Sequence, residues 1–236
     1  MSTIIKHHAR SLFALTAAFS LFLSIAPASF AADAGVIQRL TGEATITGAD
    51  NVTRRAAQNE KIQAGDTLST EAKSETLIKM ADDSTVVLRP NTRFQFTEYK
   101  YEKTAADSAF VTLLRGTARM VTGLIGKRNL ASVRVNAVTA TIGIRGTDFE
   151  VAVIPEDTSD ARAGVYDYVH DGATNITIAS GQSLDVRRTQ TAFAPDRPRP
   201  GEEPLQILNE RPIFLQQGGG LDALIQSITI QIPVFR

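Results

Sequence analysis

The chain of 236 residues contains no cysteine. Disulfides, thiolate nucleophiles and thiolate metal sites are therefore excluded, and stability must come from packing alone. Histidine is nearly as scarce, because His7 and His8 lie close to the N-terminus and His170 is the only histidine beyond residue 31. A Ser-His-Asp triad would have to be built around that one residue.

Long apolar runs are also scarce. One occupies residues 12–25, after a basic start, and small residues follow it at positions 29 and 31. This order is typical of a secretory signal peptide, here with cleavage between Ala31 and Ala32. A membrane anchor is the less favoured alternative, because the run is shorter than the ~20 residues that cross a bilayer. The C-terminal run at 221–235 is interrupted by polar residues and is not expected to span a membrane.

Neither sign of charge is in excess, since the chain has 25 basic and 25 acidic residues. Lys6 and Arg10 belong to the N-terminal segment, so residues 32–236 carry 23 basic and 25 acidic side chains, a net charge of −2. Nothing in this balance attracts nucleic acid, and we exclude that class of partner. The 205 residues beyond residue 31 are enough for one sizeable domain and an extension.

Helical periodicity hardly appears in these residues, whereas runs that alternate with a period of two recur. The runs are rich in β-branched and aromatic residues, and turn residues separate them. Many short strands without intervening helices predict an all-β domain. An Asp171-Gly172 turn predicts a hairpin of residues 164–169 and 174–178. The other predicted strands lie at residues 36–40, 43–47, 76–80, 85–88, 93–96, 110–114 and 132–135.

Residues 140–151 are the most informative stretch of the chain. Their alternation is interrupted at Gly143 and Gly146, which predicts a bent strand. The Arg-Gly-Thr sequence around Gly146 also surrounds Gly116, and Gly42 stands in a similar context. Successive units that bend at equivalent glycines predict a short-stranded β-solenoid or roll, with a β-sandwich as the alternative.

Several separated motifs appear in a fixed order along the chain. They are a Gly-Asp turn into a strand that ends in Thr, a strand, an Asp-x-Ser turn, a Pro-Asn turn and a closing Arg-Gly-Thr-x-Phe segment. Together they lie at residues 65–70, 77–80, 82–88, 90–91, 113–116 and 140–149. This order resembles the FecR domain family, which is named for the ferric-citrate regulator, a periplasmic sensor. The resemblance covers about residues 36–153. It implies structural roles for Gly65, Asp66, Gly116, Gly143, Arg145, Gly146, Thr147 and Phe149.

The sequence departs from the family pattern in two respects. Asp83 stands where the family commonly has glycine, at a turn position that favours positive φ, and aspartate is among the few residues that adopt it. Regulators of the ferric-citrate type have a cytoplasmic sigma-factor-binding segment and a transmembrane helix before this domain, and a further domain after it. Here a predicted signal peptide directly precedes the domain. We therefore do not expect transmembrane signalling by this chain alone.

Four residues are candidates for chemistry, and a structural role is favoured for each. His170 directly precedes a turn and no nucleophile elbow is present, so we expect a turn residue. Asp148 and Glu150 share a strand face about 6.5–7 Å apart, as paired acids in glycosidases do, but a solvated face is the expected environment. Arg145 is expected to pair with Asp148 or cap strand carbonyls rather than grip an anionic ligand.

Calcium is the metal that two acidic segments could bind. Asp82 and Asp83 form the first, and Glu156, Asp157 and Asp160 form the second. Neither has the alternating acidic spacing of a calcium loop, so turn formation is expected at both. No catalytic residue, cofactor or metal ligand is therefore predicted.

The composition changes beyond residue 188. Four prolines lie within residues 195–204, which predicts an extended linker. After it, Ile228, Ile230 and Ile232 alternate as on one strand face. We expect this extension to fold back as a cap on an open end of the β domain, or alternatively to add as a strand to a partner's sheet. The predicted segments are a signal peptide at 1–31, a β domain at 32–188, a linker at 189–204 and an extension at 205–236.

The function that these observations favour is that of an exported, non-enzymatic FecR-domain protein, a binding or scaffold module of the bacterial envelope. Its expected location is the periplasm, with the cell surface or secretion as alternatives. Its expected partner is an envelope protein or a glycan. The first alternative function is an accessory in envelope signal transduction that acts through a separate membrane protein. The second is a glycan-active enzyme.

Overall fold

The structure is a computed structural model that describes residues 33–229, with side chains up to residue 225. The predicted cleavage positions Ala31 and Ala32 lie outside the described residues, as do Ile230 and Ile232. Short strands dominate, so the all-β prediction is confirmed. No helix within the described range is long and apolar enough to cross a bilayer.

Seventeen strands, three short α-helices and a 3₁₀ helix (Leu130–Ser132) are described. The strands are β1 (Asp33–Thr41), β2 (Ala44–Thr47), β3 (Thr53–Arg55), β4 (Lys61–Gln63), β5 (Thr67–Thr70), β6 (Glu75–Met80), β7 (Thr85–Leu88), β8 (Arg93–Lys100), β9 (Ser108–Val121), β10 (Val133–Ala137), β11 (Ala140–Ile144), β12 (Asp148–Ile154), β13 (Gly164–Asp171), β14 (Ala173–Ile178), β15 (Ser183–Arg187), β16 (Thr191–Pro195) and β17 (Gln206–Leu208). The helices are α1 (Leu124–Arg128), α2 (Ile213–Gln216) and α3 (Asp222–Thr229).

These strands form two sheets. Sheet A has the order β4-β1-β6-β7-β9-β12-β13-β16-β17. Sheet B has the order β3-β2-β5-β8-β9-β10-β11-β14-β15. All pairs are antiparallel except β9 with β10, and β9 belongs to both sheets. Each sheet grows almost in chain order while the chain crosses repeatedly between them, so the domain is a two-layer roll.

The main core lies between the two sheets. Alternate residues of each strand point inward, as the period-two pattern requires. From sheet A they include Ile37, Ile78, Leu88, Phe149 and Val169, and from sheet B Ile46, Leu68, Phe94, Leu113 and Ile142. Each of these ten side chains is fully buried. Burial of apolar surface on this scale is what stabilises a cysteine-free domain.

Glycines with positive φ mark the points where the chain crosses between the sheets. Gly42, Gly116 and Gly146 have φ of +77°, +86° and +66°. Gly42 joins β1 to β2, Gly116 bends β9 from sheet B into sheet A, and Gly146 joins β11 to β12. The prediction of equivalent glycine turns is therefore confirmed. Gly65 and Gly172, with φ of +93° and +83°, occupy the same kind of position.

Gly143 does not bend the chain, and the sequence-based expectation is wrong for this residue. It lies in the regular part of β11, opposite Arg134 on one side and Asn175 on the other. An added Cβ would meet only the Asn175 carbonyl oxygen, at 3.8 Å. A glycine within a predicted strand therefore does not by itself indicate a bend. At Gly116 and Gly146, by contrast, the chain leaves sheet B for sheet A.

Replacing Gly116 by alanine is expected to lower the free energy of unfolding by at least roughly 2 kcal/mol. The new side chain would have to adopt a left-handed conformation, and its Cβ would lie 2.5 Å from Thr92 Cα. Gly143→Ala is the matched control and should change stability by less than about 0.5 kcal/mol. Urea unfolding of both variants measures the difference, and equal midpoints would contradict this account of the crossing points.

Two other expectations differ from the structure. Residues 164–178 do not form a hairpin, because β13 pairs with β12 and β16 in sheet A, whereas β14 pairs with β11 and β15 in sheet B. Gly172 supplies a positive φ that suits a crossing as well as a hairpin turn. Residues 191–195, expected in the linker, form the buried strand β16. Its proline is the last residue of the strand, where a missing N–H is tolerated.

The C-terminal segment, defined here as residues 209–225, lies on the outer face of sheet A. Leu221 and Ile225 pack on Leu77 and Val87. A second apolar cluster forms where Leu215 meets Ala152, Tyr166 and Phe193. Ile228 was expected in a strand but belongs to helix α3, because the apolar residues at 221, 224 and 225 repeat with helical spacing.

Candidate functional site

A group of charged side chains lies between sheet A and the C-terminal segment. Arg89 follows β7, Arg119 lies on β9, Asp148 and Glu150 lie on β12, and His170 lies near the end of β13. Val87, Arg119, Glu150 and Tyr168 face each other across the four strands in register. The outward positions of four strands therefore bring side chains from four parts of the sequence together. We call this group, with Arg211 and Asp222 of the C-terminal segment, the charged network.

Glu150 is at the centre of the charged network and is fully buried. Its Oε1 lies 2.5 Å from Arg89 Nη2. Its Oε2 accepts a hydrogen bond from Arg211 Nη2 at 3.1 Å and lies 3.4 Å from His170 Nε2. A buried carboxylate needs such partners, because losing its hydration without compensation costs several kcal/mol.

Arg119 and Asp148 form the second part of the network. The Arg119 guanidinium donates from Nε and Nη2 to both oxygens of Asp148, at 2.9 and 2.7 Å. Burial disfavours the charged form of Arg119, but the bonds and nearby charges of Asp148, Asp222 and Glu150 outweigh it and raise the arginine's pKa. Arg119 therefore remains charged in this bidentate pair.

The C-terminal segment completes the charged network from the other side. Asp222, at 7% exposure, accepts from Arg89 Nη2 at 2.9 Å and lies 3.7 Å from Arg119 Nη1. Arg89 Nη1 also donates to the Gln217 carbonyl at 2.8 Å. The Arg211 guanidinium lies 4.0 Å from the Tyr168 ring centre, within cation–π distance. The segment is thus held by directed polar contacts as well as by the two apolar clusters.

The network is incompletely hydrogen-bonded. Five buried atoms make no aligned hydrogen bond to any described residue: Arg89 Nε, Glu150 Oε1, His170 Nε2, Arg211 Nε and Asp222 Oδ1. Glu150 Oε1 still has its ionic contact with Arg89. Partly satisfied buried networks are costly, so this arrangement offsets some of the free energy that the apolar contacts contribute.

The structure brings the candidate acids and histidine together but in a different setting from the expected one. Asp148 and Glu150 were expected on a solvated face, and this is wrong, because Glu150 is fully buried and the Asp148 side chain is only 11% exposed. His170 was expected in a turn, whereas it is the penultimate residue of β13 and contacts Glu150. All three side chains have partners within the charged network.

Arg145 does not pair with Asp148 as expected, because Arg119 already occupies that carboxylate. Its Nη2 lies 3.6 Å from Asp185 Oδ1, and more than half of its side chain is exposed. Thr147, two residues on, donates from Oγ1 to the Ala173 carbonyl at 2.7 Å and accepts from the Arg145 backbone N–H at 3.2 Å. Phe149 is fully buried in the main core.

The Gly65-Asp66 and Asp82-Asp83 turns are held by their own side chains. Asp66 accepts from the Gln63 backbone N–H at 3.0 Å. Asp83 has a φ of +68°, as expected for a residue that replaces glycine. The Asp82 carboxylate accepts from the Tyr99 hydroxyl at 3.1 Å, as well as from Ser84 and the Ile125 N–H. Burial and the Asp82 charge raise the pKa of Tyr99, which stays protonated.

The second acidic segment is also engaged locally. Asp157 accepts from the Ala163 backbone N–H at 2.7 Å, and Asp160 accepts from Ser159 at 2.9 Å. Among residues 33–229 no three histidine, aspartate or glutamate side chains converge as metal ligands would.

Sequence reasoning missed four members of the charged network: Arg89, Arg119, Arg211 and Asp222. Arg119 had a signal, because it alternates with the inward-facing Ala118 and Met120 of a strand. Nothing local indicates that Arg89 meets Asp222, which lies 133 residues away. That contact depends on where the C-terminal segment docks.

The fold and the charged network define the class of protein. It is a two-layer β domain in which the C-terminal segment of the same chain covers part of the outer face of sheet A. Residues 66–182 match the family model described as FecR protein. The chain therefore contains a FecR domain, and the resemblance read from the motifs is confirmed. The matched range begins later than residue 36 and extends beyond residue 153.

Two crystal structures of a Parabacteroides distasonis protein, described as a "putative anti-sigma factor", are similar to this chain. Each shares 15% sequence identity, with a TM-score of 0.49, and the match covers 69% of this chain and 72% of that one. The comparison with curated proteins found no match.

Proposed function

We propose that the protein is an exported, non-enzymatic binding or scaffold module of the bacterial envelope, built on its FecR domain. The observation that supports this proposal is the state of Asp148, Glu150 and His170. A general acid or nucleophile must reach its substrate, whereas these groups are largely buried and are paired with arginines or with each other. The FecR domain supports an envelope location, and the predicted signal peptide would deliver the chain to the periplasm.

Cross-linked pull-down from envelope fractions tests this proposal. The full tagged chain is compared with one that ends at Glu210, which keeps all seventeen strands and removes the rest of the C-terminal segment. We expect the full chain to recover a specific envelope protein or glycan. Because the shorter chain exposes apolar surface, Arg211→Ala/Asp222→Ala in the full chain serves as the second variant. If none of the three preparations recovers a specific component, the proposed function is wrong.

A role as an accessory in envelope signal transduction is the second candidate. It is favoured by the incomplete hydrogen bonding of the charged network. Because this bonding costs free energy, a partner can displace the C-terminal segment more readily. We expect Arg211→Ala/Asp222→Ala to change a transcriptional output in the same direction at every level of stimulus. Hydrogen exchange should show that the C-terminal segment has lost its protection in this variant. If the transcriptional output nevertheless equals that of the wild type, this role is excluded.

A further inference from the structure

The outer face of sheet B differs from that of sheet A, because no described segment packs across it as the C-terminal segment packs across sheet A. One cross-strand row on this face contains only hydroxyl and amide side chains and crosses all nine strands. Adjacent members are Cα partners in the sheet. In order, this polar row consists of Thr53, Thr47, Thr67, Gln95, Thr112, Asn136, Thr141, Thr177 and Ser183.

The polar row is long and has unused hydrogen-bonding capacity. Eight interstrand spacings give it a length of about 38 Å. Thr67 is its one buried member, at 8% exposure. Thr47 bonds Thr53 at 2.9 Å, Thr112 bonds Thr97 at 2.8 Å, and Thr141 donates to Asn136 Oδ1 at 3.3 Å. A hydroxyl has one donor and two acceptor sites, so each retains capacity for a ligand. The Gln95 side chain has no partner among the described residues.

Positive charge flanks the row on both sides. Arg93 and Arg115 are Cα partners at a register shift between β8 and β9, and both are exposed. Like charges in such positions destabilise a sheet, and neither arginine has a carboxylate partner among the described residues. On the other flank, the Arg134 guanidinium lies 5.5 Å from the Phe110 ring centre and is also without an acidic partner. Other arginines nearby are paired, such as Arg55 with Glu43 at 2.9 Å.

The chemistry of this face fits one kind of ligand. Arginine pairs in a bidentate geometry with carboxylates, as it does with phosphates, and a neutral row of hydroxyls and amides suits a hydroxyl-rich chain. Single-stranded nucleic acid would need aromatic side chains on which its bases stack, and the polar row contains none. A peptide that joins a sheet does so at an edge strand, through its backbone, whereas the polar row consists of side chains in the middle of a face.

We propose that the outer face of sheet B binds a carboxylate-bearing polysaccharide along the polar row, with Arg93, Arg115 and Arg134 pairing with its carboxylates. This inference rests on the proposed function and names the chemical class of one ligand. The ligand would remove the repulsion between Arg93 and Arg115 that nothing within the described chain offsets.

Affinity electrophoresis in native gels that contain alginate, a soluble carboxylated polysaccharide, tests the proposal. We expect alginate to retard the full chain, neutral dextran not to do so, and added NaCl to weaken binding. Arg93→Ala/Arg115→Ala should lower the affinity at least roughly ten-fold. It should leave the unfolding midpoint unchanged or higher, because it removes a like-charge pair.

Two further variants separate this site from general attraction between charges. Arg197→Ala/Arg199→Ala removes the same charge from exposed positions after β16 and should leave the affinity unchanged. Thr112→Val removes one hydroxyl of the row at constant shape and should weaken binding a few-fold. Absence of retardation by alginate, or equal weakening by both arginine pairs, overturns the proposal. If the envelope pull-down still recovers a component, the proposed function stands and only this ligand assignment is wrong.

Discussion

Replacing Arg89 by alanine is expected to lower the free energy of unfolding by about 3 kcal/mol. The substitution leaves Glu150 fully buried with one arginine fewer, and removing one partner of a buried ion pair typically costs 3–5 kcal/mol. Arg211 and His170 remain beside Glu150, which is why we expect the lower end of this range. Urea unfolding measures the loss, and hydrogen exchange should show it most strongly in helix α3.

A double variant separates the buried charge from simple loss of packing. Arg89→Ala/Glu150→Gln removes both charges, so it should be less destabilised than Arg89→Ala alone. Arg187→Ala, at an exposed arginine on the edge strand β15, should cost no more than about 0.5 kcal/mol. If Arg89→Ala costs no more than Arg187→Ala, the charged network does not hold the C-terminal segment.

Asp167→Asn is expected to remove a large part of the pH dependence of stability. Asp167 is fully buried between the sheets, where its Oδ2 accepts from the Thr174 hydroxyl at 2.6 Å and its Oδ1 has no partner among the described residues. Burial raises its pKa to about 7, although the bond from Thr174 opposes the shift. The folded protein therefore holds this proton at pH values where the unfolded chain has released it.

The sign of the effect follows from this difference. Below about pH 4 the carboxyl is protonated in both states and costs nothing. Between about pH 4 and pH 7 the unfolded state ionises first, so stability falls by up to about 1.4 kcal/mol per pH unit, roughly 4 kcal/mol in all. Above pH 7 both states are ionised and the penalty is constant.

The measurement is the difference in unfolding free energy between Asp167→Asn and wild type at pH 4, 5.5, 7 and 8. It should rise in favour of the variant up to pH 7 and then level off. Glu203→Gln, at an exposed acid between β16 and β17 without an ionic partner among the described residues, is the control and should show a flat difference. A flat difference for Asp167→Asn as well would show that the folded protein does not retain this proton.

Local patterns in the sequence predicted the strands and several of the crossing points. Period-two alternation places Ile37 and Ile78 inward without knowledge of their partners, because the strand's own geometry sets the spacing. A glycine such as Gly116 signals a positive φ for the same local reason. The Asp171-Gly172 turn was misread because a hairpin and a crossing between sheets need similar backbone conformations.

The charged network could not be predicted in this way. Glu150 meets Arg211 across 61 residues, and its burial depends on a segment that the sequence shows only as short apolar runs after a proline-rich stretch. The strand β16 was missed because its flanking prolines resemble a linker. Local patterns do not show which surfaces are covered by later parts of the chain, because this depends on the assembled fold.

Strand β9 is shared by both sheets, and this has a mechanical consequence. Arg115 lies on its sheet B half, Arg119 on its sheet A half, and only Gly116 and two further residues of continuous backbone separate the two. The layers cannot slide past each other without breaking this strand. A strain applied to the covered face would therefore be transmitted along a single strand to the uncovered one.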